Sequence, residues 1–234
     1  MDENNIAQNI KRVQEKISNY AAKYKRDIND ITLIGVSKYA SVQDTQEAVK
    51  AGLKDLGENR VSQLIEKQEI LSNNKLYPNW HLIGTLQRKK VRLIIGKCSL
   101  IHSVDSLELL DEISKRSSEI NIITPILLQL NVSNESTKHG FDPMEINRII
   151  EQVSVFSGVD LQGIMTMAPL TEDEKIINDV FSKTQELFYQ IKQSVNRPSF
   201  GILSMGMSND YHIAIAHGAT HLRIGTAIFG ARII

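Results

Sequence analysis

Hydrophobic residues follow two different patterns along the chain. Near the N terminus, apolar side chains recur at the spacing that forms one stripe along a helix, at Ile6, Ile10, Val13, Ile17 and Tyr24. From residue 31 onward the pattern changes to short runs rich in β-branched residues, separated by longer polar stretches. We therefore expect an N-terminal helix followed by alternating strands and helices.

Eight runs typical of β-strands alternate with helical stretches. They are ITLIGVSK (31–38), DLGEN (55–59), WHLIG (80–84), LIHSVD (100–105), ITPILLQLNVS (123–133), LQGIMTM (161–167), FGILSMG (200–206) and HLRIGTAIFG (221–230). Alternation of this kind is typical of parallel βαβ units. It predicts an α/β fold, a single (β/α)₈ TIM barrel domain over residues 1–234 with an extra N-terminal helix. The alternative is an open doubly wound sheet, although no G-x-G-x-x-G follows the first run.

Polar residues before the helical stretches indicate where helices begin. Ser41 with Asp44 and Asp105 with Glu108 have the spacing of a capping box. Thr171, ahead of a long periodic stretch, has the same relation to a glutamate three positions later. We expect a helix to begin at each of these places.

Composition excludes several functional classes. The chain has 27 basic and 27 acidic residues, and this zero net charge argues against nucleic acid as the main partner. The single Cys98 excludes an intrachain disulfide and a Cys-based structural zinc site. No apolar run is long enough to cross a bilayer, and the acidic N terminus is unlike a signal peptide. We expect a cytoplasmic protein, monomeric, with no nucleic-acid or membrane partner.

Polar residues follow most of the strand-like runs. In a barrel, the carboxyl ends of the strands form the active-site face. A buried polar group without a partner costs about 1–3 kcal/mol, so many polar strand ends at one face indicate a polar ligand. These residues are Lys38, Glu58, Asn59, His81, Ser103, Asn131, Thr166, Ser204 and Arg223.

Three of these features indicate specific chemistry. Lys38 ends an apolar run, so it is either an exposed cap or a partly buried amine able to form a Schiff base with an aldehyde. The turns SMGMSND (204–210) and RIGTAIFG (223–230) are typical of phosphate-binding turns after the last two strands of a barrel, or are ordinary tight turns. Arg223 either contacts the ligand or forms a structural salt bridge.

Six runs together resemble one known family. They are VSK (36–38), GEN (57–59), WHLIGTLQ (80–87), GIMTM (163–167), SMGMSND (204–210) and RIGTAIFGAR (223–232). Their order and spacing are similar to those of the pyridoxal-phosphate homeostasis proteins, whose fold is similar to the N-terminal barrel domain of alanine racemase. The chain departs from this family at Lys89, where asparagine is usual, and at its end, GARII, which lacks the usual polar tail.

The resemblance implies a cofactor and the residues that hold it. Pyridoxal 5′-phosphate (PLP) would be bound to Lys38 as a Schiff base. Its phosphate would be held by Ser204 and by the backbone of Gly225 and Thr226. A role in buffering PLP or delivering it to apo PLP-dependent enzymes follows from the same resemblance.

The resemblance also implies the contacts of the pyridine ring. Arg223 would face the ring nitrogen, and Asn59, His81 and Met165 would line the ring. Since a guanidinium only donates hydrogen bonds, it would keep that nitrogen unprotonated and make the ring a poorer electron sink. This disfavours transamination and decarboxylation.

The alternatives to a carrier are a weak amino-acid racemase or lyase, a Schiff-base aldolase without cofactor, and an interaction module that uses the basic residues 88–92. Racemisation needs a second base, which alanine racemase takes from a second domain. The sequence ends with the eighth βα unit, so we expect no such domain, and Tyr211 beside the phosphate turn is the candidate substitute. The polar loop 134–141 is predicted to act as a mobile gate, with Lys138 as a second amine that could receive the aldehyde during transfer.

Overall fold

The strands form a closed parallel barrel. A computed structural model describes residues 5–133, 139–195 and 197–230. Within them the strand order is β1 to β8, and β1 pairs with both β2 and β8. The strands are β1 (Thr32–Val36), β2 (Asp55–Glu58), β3 (Asn79–Leu82), β4 (Leu100–Val104), β5 (Thr124–Gln129), β6 (Val159–Met165), β7 (Ile202–Ser204) and β8 (His221–Ile224). The predicted barrel is confirmed, and the open sheet is wrong because β8 closes onto β1.

Helices connect successive strands and cover the barrel. The α-helices are α1 (Ile6–Lys23), α2 (Val42–Lys50), α3 (Val61–Asn73), α4 (Val91–Ile94), α5 (Leu107–Glu119), α6 (Ile146–Val153), α7 (Glu174–Val195), α8 (Tyr211–Ala216) and α9 (Thr226–Phe229). Short 3₁₀ helices lie at Ile28–Asp30, Arg88–Lys90 and Pro143–Glu145. No helix in the described ranges is long and apolar enough to cross a membrane.

The N-terminal helix packs against the end of the barrel sequence. The apolar stripe of α1 is buried, as its spacing predicts, and the helix contacts α8 and α9. Asn9 Nδ2 donates to the carbonyl of Ile228 at 3.0 Å. The helix therefore braces the segment that follows β8.

The predicted helix starts are confirmed in part. Ser41 and Asp44 form a reciprocal capping box at the start of α2. At α5 the cap is Ser106, whose hydroxyl accepts from the Leu109 amide, so the prediction of Asp105 as the cap is wrong by one residue. The last predicted strand is too long, because its second half forms α9.

The apolar core has two parts. The larger part fills the space between the outer face of the barrel and the helices. A small separate cluster contains Leu100, Leu127 and Met165, with Met167 and Ile202 packed against it. Polar side chains occupy the remaining interior next to this cluster. Two of them, His102 and Ser204, are completely buried.

Candidate functional site

A cavity of about 470 Å³ opens at the carboxyl ends of the strands. Its wall is formed by strand ends and by the loops that follow β1, β2, β3, β6, β7 and β8. The polar side chains in that wall include those of Lys38, Asn59, Thr85, Gln129, His139, Thr171, Ser208, Asn209, Asp210, Arg223 and Thr226. Five of the eight predicted contacts, namely Lys38, Asn59, Arg223, Gly225 and Thr226, are therefore brought together here.

Lys38 lies in a turn just beyond β1. Its side chain is partly buried and lines both the cavity and an adjacent smaller pocket. The ammonium Nζ lies 5.1 Å from the centre of the Tyr39 ring.

A buried ion pair fixes the backbone that precedes Lys38. Lys67 Nζ donates to Glu58 Oε1 at 2.6 Å and to the carbonyl of Ser37 at 2.6 Å. The Ser37 hydroxyl donates to the same carboxylate oxygen at 2.8 Å. Glu58 is completely buried, so it supports the cavity from below. Its position at the end of a strand had suggested instead that it would line the cavity.

Asn59 presents an unsatisfied acceptor at the cavity. Its Oδ1 is buried and has no hydrogen-bond partner among the described residues. Gly84 lets the next loop approach, since a Cβ there would lie 2.4 Å from the Asn59 carbonyl oxygen. Because unpaired buried oxygens are costly, this wall of the cavity favours a ligand that donates a hydrogen bond.

The turns after β7 and β8 meet at the Ser208 hydroxyl. The backbone amides of Gly225 and Ala227 both point to Ser208 Oγ, at 3.3 Å and 3.4 Å. Gly206 makes the first turn possible, since it has φ of +95°. Backbone N–H groups that converge on one oxygen form a cradle for an anion.

Arg223 lies at the floor of the cavity and is 4% exposed. Its guanidinium donates to Ser204 Oγ at 2.7 Å and to the carbonyl of Thr166 at 2.9 Å. Both acceptors are neutral groups, whereas the alternative interpretation had expected a salt bridge. Burial lowers the pKa of Arg223 to about 10, with the charge of Asp210 acting in the opposite direction. The guanidinium therefore stays charged at neutral pH.

Three predicted contacts lie below the cavity. Ser204 is completely buried and its oxygen binds Arg223 and His102. His81 is 4% exposed and Met165 is completely buried, and neither belongs to the cavity wall. The assignment of these three residues as direct ligand contacts therefore stays a prediction, and the described cavity wall does not include them.

Ser208 and Met167 occupy the corresponding places in the wall. Both lie beyond the strand ends, in the loops after β7 and β6. Ser208 belongs to the run SMGMSND, which the sequence indicates as a phosphate-binding turn, whereas the family resemblance implies Ser204. Met167 follows two positions after Met165, the last residue of β6.

Two polar residues of the barrel interior, His102 and Asp55, had no clear signal in the sequence. His102 lies inside an apolar strand and Asp55 lies at the start of a strand, far from the carboxyl ends where function was sought. The signal that could have found them is the inward alternation of polar residues on β2, β3 and β4.

The remaining candidates fall into different places. Tyr211 is 7% exposed and packs edge-on against Tyr20, away from the cavity wall. His139 lines the mouth of the cavity, and its Nδ1 lies 3.6 Å from Asp105 Oδ2. Burial raises the pKa of the Cys98 thiol to about 12, which makes it a poor nucleophile. Lys138 and most of the predicted gate lie outside the described residues.

Comparisons with known proteins point to one group. Residues 1–233 match the family described as the alanine racemase N-terminal domain. A pyridoxal phosphate homeostasis protein of Aquifex aeolicus is 38% identical over 97% of this chain and 99% of its own length. The structure of PipY from Synechococcus elongatus PCC7942 with PLP bound has a TM-score of 0.82 at 30% identity, and covers 96% of this chain and 100% of that chain. An alanine racemase of Clostridium difficile 630 shares the fold, with a TM-score of 0.70, 16% identity and coverage of 94% of this chain and 56% of that one.

Proposed function

The chain belongs to the pyridoxal phosphate homeostasis proteins, within the alanine racemase N-terminal domain family, and from that premise we propose that it binds PLP and holds it for delivery to other proteins. PLP combines an aldehyde, a phosphate and a pyridine nitrogen. The observation that carries the proposal is that a single cavity brings together a lysine, a cradle of backbone amides and a buried guanidinium.

Lys38 is the residue we assign to the aldehyde. It is the lysine among the described residues of the cavity wall. Its deprotonated Nζ would attack the aldehyde carbon to form a C=N bond, with the carbonyl oxygen released as water. The ion pair beneath Ser37 holds the backbone of this turn, so the amine starts from a defined place.

The phosphate fits the turns after β7 and β8. Amides of Gly225 and Ala227 that now converge on Ser208 Oγ can donate to a phosphate oxygen, and the Ser208 hydroxyl can do the same. Thr226 lies between the two amides and also lines the cavity. Ser208 replaces Ser204 in this assignment, since Ser204 has no surface in the cavity wall.

The ring nitrogen fits Arg223, which reaches the cavity from its floor. When bound, PLP supplies an aldehyde for amines and, in enzymes, an electron sink whose strength depends on the protonation of that nitrogen. A charged guanidinium donates to the nitrogen and leaves it without a proton of its own. Asn59 Oδ1, which has no partner among the described residues, suits a donor on the ring.

A carrier fits this arrangement better than an enzyme. A hydrogen bond from Arg223 would keep the pyridine nitrogen of PLP unprotonated, and the ring is then a poorer electron sink. Exposed apolar side chains stand beside the cavity at Tyr39 (62% exposed) and Leu170 (94% exposed), where a recipient enzyme would approach. We propose apo PLP-dependent enzymes as the recipients.

Borohydride reduction followed by mass spectrometry tests the proposal. The purified protein with PLP should gain the mass of the reduced cofactor on the peptide that contains Lys38. Lys38→Ala should fold and lose the adduct, whereas Lys89→Ala, an exposed lysine on the 3₁₀ helix Arg88–Lys90, should keep it. An adduct on another lysine in the native protein contradicts the assignment of Lys38.

The contribution of the phosphate has its own test. Pyridoxal, which lacks the phosphate, should bind at least about tenfold more weakly than PLP, equivalent to 1.4 kcal/mol. Ser208→Ala should reduce that difference. Equal affinity for the two compounds would show that the turns after β7 and β8 do not hold the phosphate.

A further inference from the structure

A chain of hydrogen bonds leads from Arg223 through the barrel interior. Arg223 NH1 lies 2.7 Å from Ser204 Oγ, and Ser204 Oγ lies 2.9 Å from His102 Nδ1. His102 Nε2 lies 2.9 Å from His81 Nδ1, and His81 Nε2 lies 3.1 Å from Asp55 Oδ1. The chain joins β8, β7, β4, β3 and β2. Since β7 and β4 are not neighbours in the barrel, the link between Ser204 and His102 crosses its interior.

The groups at the two ends of this chain limit where its protons lie. The guanidinium has no acceptor, so Arg223 donates to Ser204 Oγ. The Asp55 carboxylate only accepts, so the proton between Asp55 and His81 is on Nε2 of His81.

With one proton on each ring, the other bonds of the chain follow. Nδ1 of His81 accepts from the Nε2–H of His102, and Nδ1 of His102 accepts from the Ser204 hydroxyl. Both histidines then share the Nε2–H tautomer.

The surroundings support a single proton on His102. Ser204 and His102 are completely buried. Burial lowers the pKa of His102 well below its usual value, and the nearby His81, Arg223 and His221 act in the same direction. In the tautomers given above, a second proton on His81 would face the Nε2–H of His102, and a second proton on His102 would displace the proton that Ser204 donates.

We propose that Ser204, His102 and His81 are positioning residues that hold the Arg223 guanidinium as a fixed donor to the cavity, with Asp55 as the terminal acceptor that sets the direction of the chain. The consequence for a ligand rests on the proposed function, in which Arg223 donates to the PLP ring nitrogen. In a chain that points the other way, the Ser204 hydroxyl would lose its acceptor on His102, and rotation of that hydroxyl would loosen the hydrogen bond that holds the guanidinium.

The first experiment uses the protein without cofactor. Nitrogen-15 NMR of the imidazole rings distinguishes the two neutral tautomers and the charged form. At pH 7 we expect His81 and His102 to be neutral and protonated on Nε2. A proton on Nδ1 of His102, or a charged ring at either position, overturns the proposal whether or not PLP binds.

The second experiment measures bound PLP in a variant that does not touch the cavity. Asp55→Ala removes the terminal acceptor, and we expect a shift in the visible absorbance of bound PLP and a weakening of PLP binding by about three- to tenfold. Asp55→Asn keeps an acceptor oxygen and should retain most of the native absorbance. Asn79→Ala is the matched control, because it removes a 3.0 Å hydrogen bond to Asp55 Oδ1 and leaves the chain intact.

The outcomes separate the two proposals. If the native protein fails to bind PLP, the proposed function is wrong, while the NMR result still decides the chain. If PLP binds and Asp55→Ala has the same absorbance and affinity as Asn79→Ala, the positioning role is wrong. Should Asp55→Ala fail to fold, His81→Ala in the NMR experiment decides, since the proton of His102 should then no longer be restricted to Nε2, and a proton that stays there contradicts the role of Asp55 in setting the direction.

Discussion

Lys67 illustrates how a single side chain supports the reactive position without contacting a ligand. It is 6% exposed and pairs with Glu58, which is completely buried. Burying two charges is costly, and a buried pair of this kind is worth retaining when it fixes a particular conformation. Here the conformation is that of Ser37, the residue before Lys38.

Lys67→Met should destabilise the protein by about 3–5 kcal/mol, because it leaves the Glu58 carboxylate buried without its cation. Urea unfolding measures the loss. The double variant Lys67→Met with Glu58→Gln is the control, since the amide is neutral and can still accept from Ser37. It should recover part of the stability, and equal losses in the single and double variants would contradict this explanation.

His221 should make the folded protein sensitive to acid. Burial, followed by the neighbouring His81 and by the charge of Arg223, lowers its pKa to about 4, while Asp55 acts in the opposite direction and His102 lies beside it. The unfolded chain takes up a proton near the ordinary pKa, so it binds more protons between about pH 6.5 and pH 4. As the pH is lowered through that window, the free energy of unfolding should fall, and this group contributes up to about 3 kcal/mol of the loss.

Stability measured against pH for the native protein and for His221→Gln tests this. Glutamine does not titrate, so the difference between the two proteins should shrink as the pH falls from neutral to about 4. A constant difference across the window would show that the folded and unfolded forms of His221 titrate alike.

The predicted contacts that lie beyond the end of a strand have surface in the cavity wall, whereas most of those within a strand do not. Lys38 and Asn59 follow their strands and line the cavity. Ser204 and His81 lie within strands, where inward direction is readable but depth is not. The sequence places such residues in the barrel interior, and only the register of neighbouring strands decides whether they reach the cavity or lie below it.

At the scale of elements, the turn between β7 and α8 depends on one glycine. Gly206 has φ of +95°, in the left-handed region that side chains other than glycine rarely adopt. A Cβ at this position would lie 2.6 Å from the Cβ of Ala214. The turn positions Ser208 beside the amides of Gly225 and Ala227, so a change in the backbone of the turn would also change the proposed anion site.

Gly206→Ala should therefore lose about 1–3 kcal/mol of stability and bind PLP at least about tenfold more weakly. Gly201→Ala is the matched control at the other end of β7, because a Cβ there meets nothing within 4 Å. Thermal unfolding and PLP titration of both variants check the prediction. Similar behaviour of the two variants would mean that the turn adapts to a side chain.

The first residue of a helix was predictable where its capping hydrogen bonds involve only residues of the first turn. The Ser41 cap depends on residues within one turn, and the sequence predicted it. At α5 two capping residues follow one another, and the choice of Ser106 over Asp105 depends on where β4 ends. The sequence indicated a turn within residues 223–230, but the bounds of β8 and α9 were not predicted, because four helical residues are too few for a periodic pattern.

At the scale of the whole molecule, alternation of strands and helices was enough to predict the barrel. Each βαβ unit has an apolar strand that must be covered on its outer face, and eight such units close on themselves. The polar interior was not predictable in the same way. Links such as Ser204 to His102 join residues that are 102 positions apart in sequence, and nothing local indicates them.

The arrangement of the whole barrel also predicts that amino acids are not turned over at an enzymatic rate. Racemisation removes a proton on one face and returns it on the other, and each positioned acid or base contributes about 10²–10⁴-fold. Lys38 serves one face. Tyr211, the substitute suggested by sequence, packs against Tyr20 away from the cavity wall. His139 at the mouth is the remaining imidazole of the described wall, and its ring is 66% exposed.

An exposed ring that is not held by a hydrogen bond of normal length makes a poor second base. With PLP and a panel of L- and D-amino acids, deuterium uptake at Cα should stay well below about 1 s⁻¹. A spectral change on adding alanine would not count as turnover, since an amino acid can exchange with the Lys38 amine. Steady uptake at or above that rate would contradict the carrier proposal. The pair of variants His139→Ala and Tyr211→Phe would then identify the base, and the geometry of the cavity predicts that only the histidine substitution abolishes the exchange.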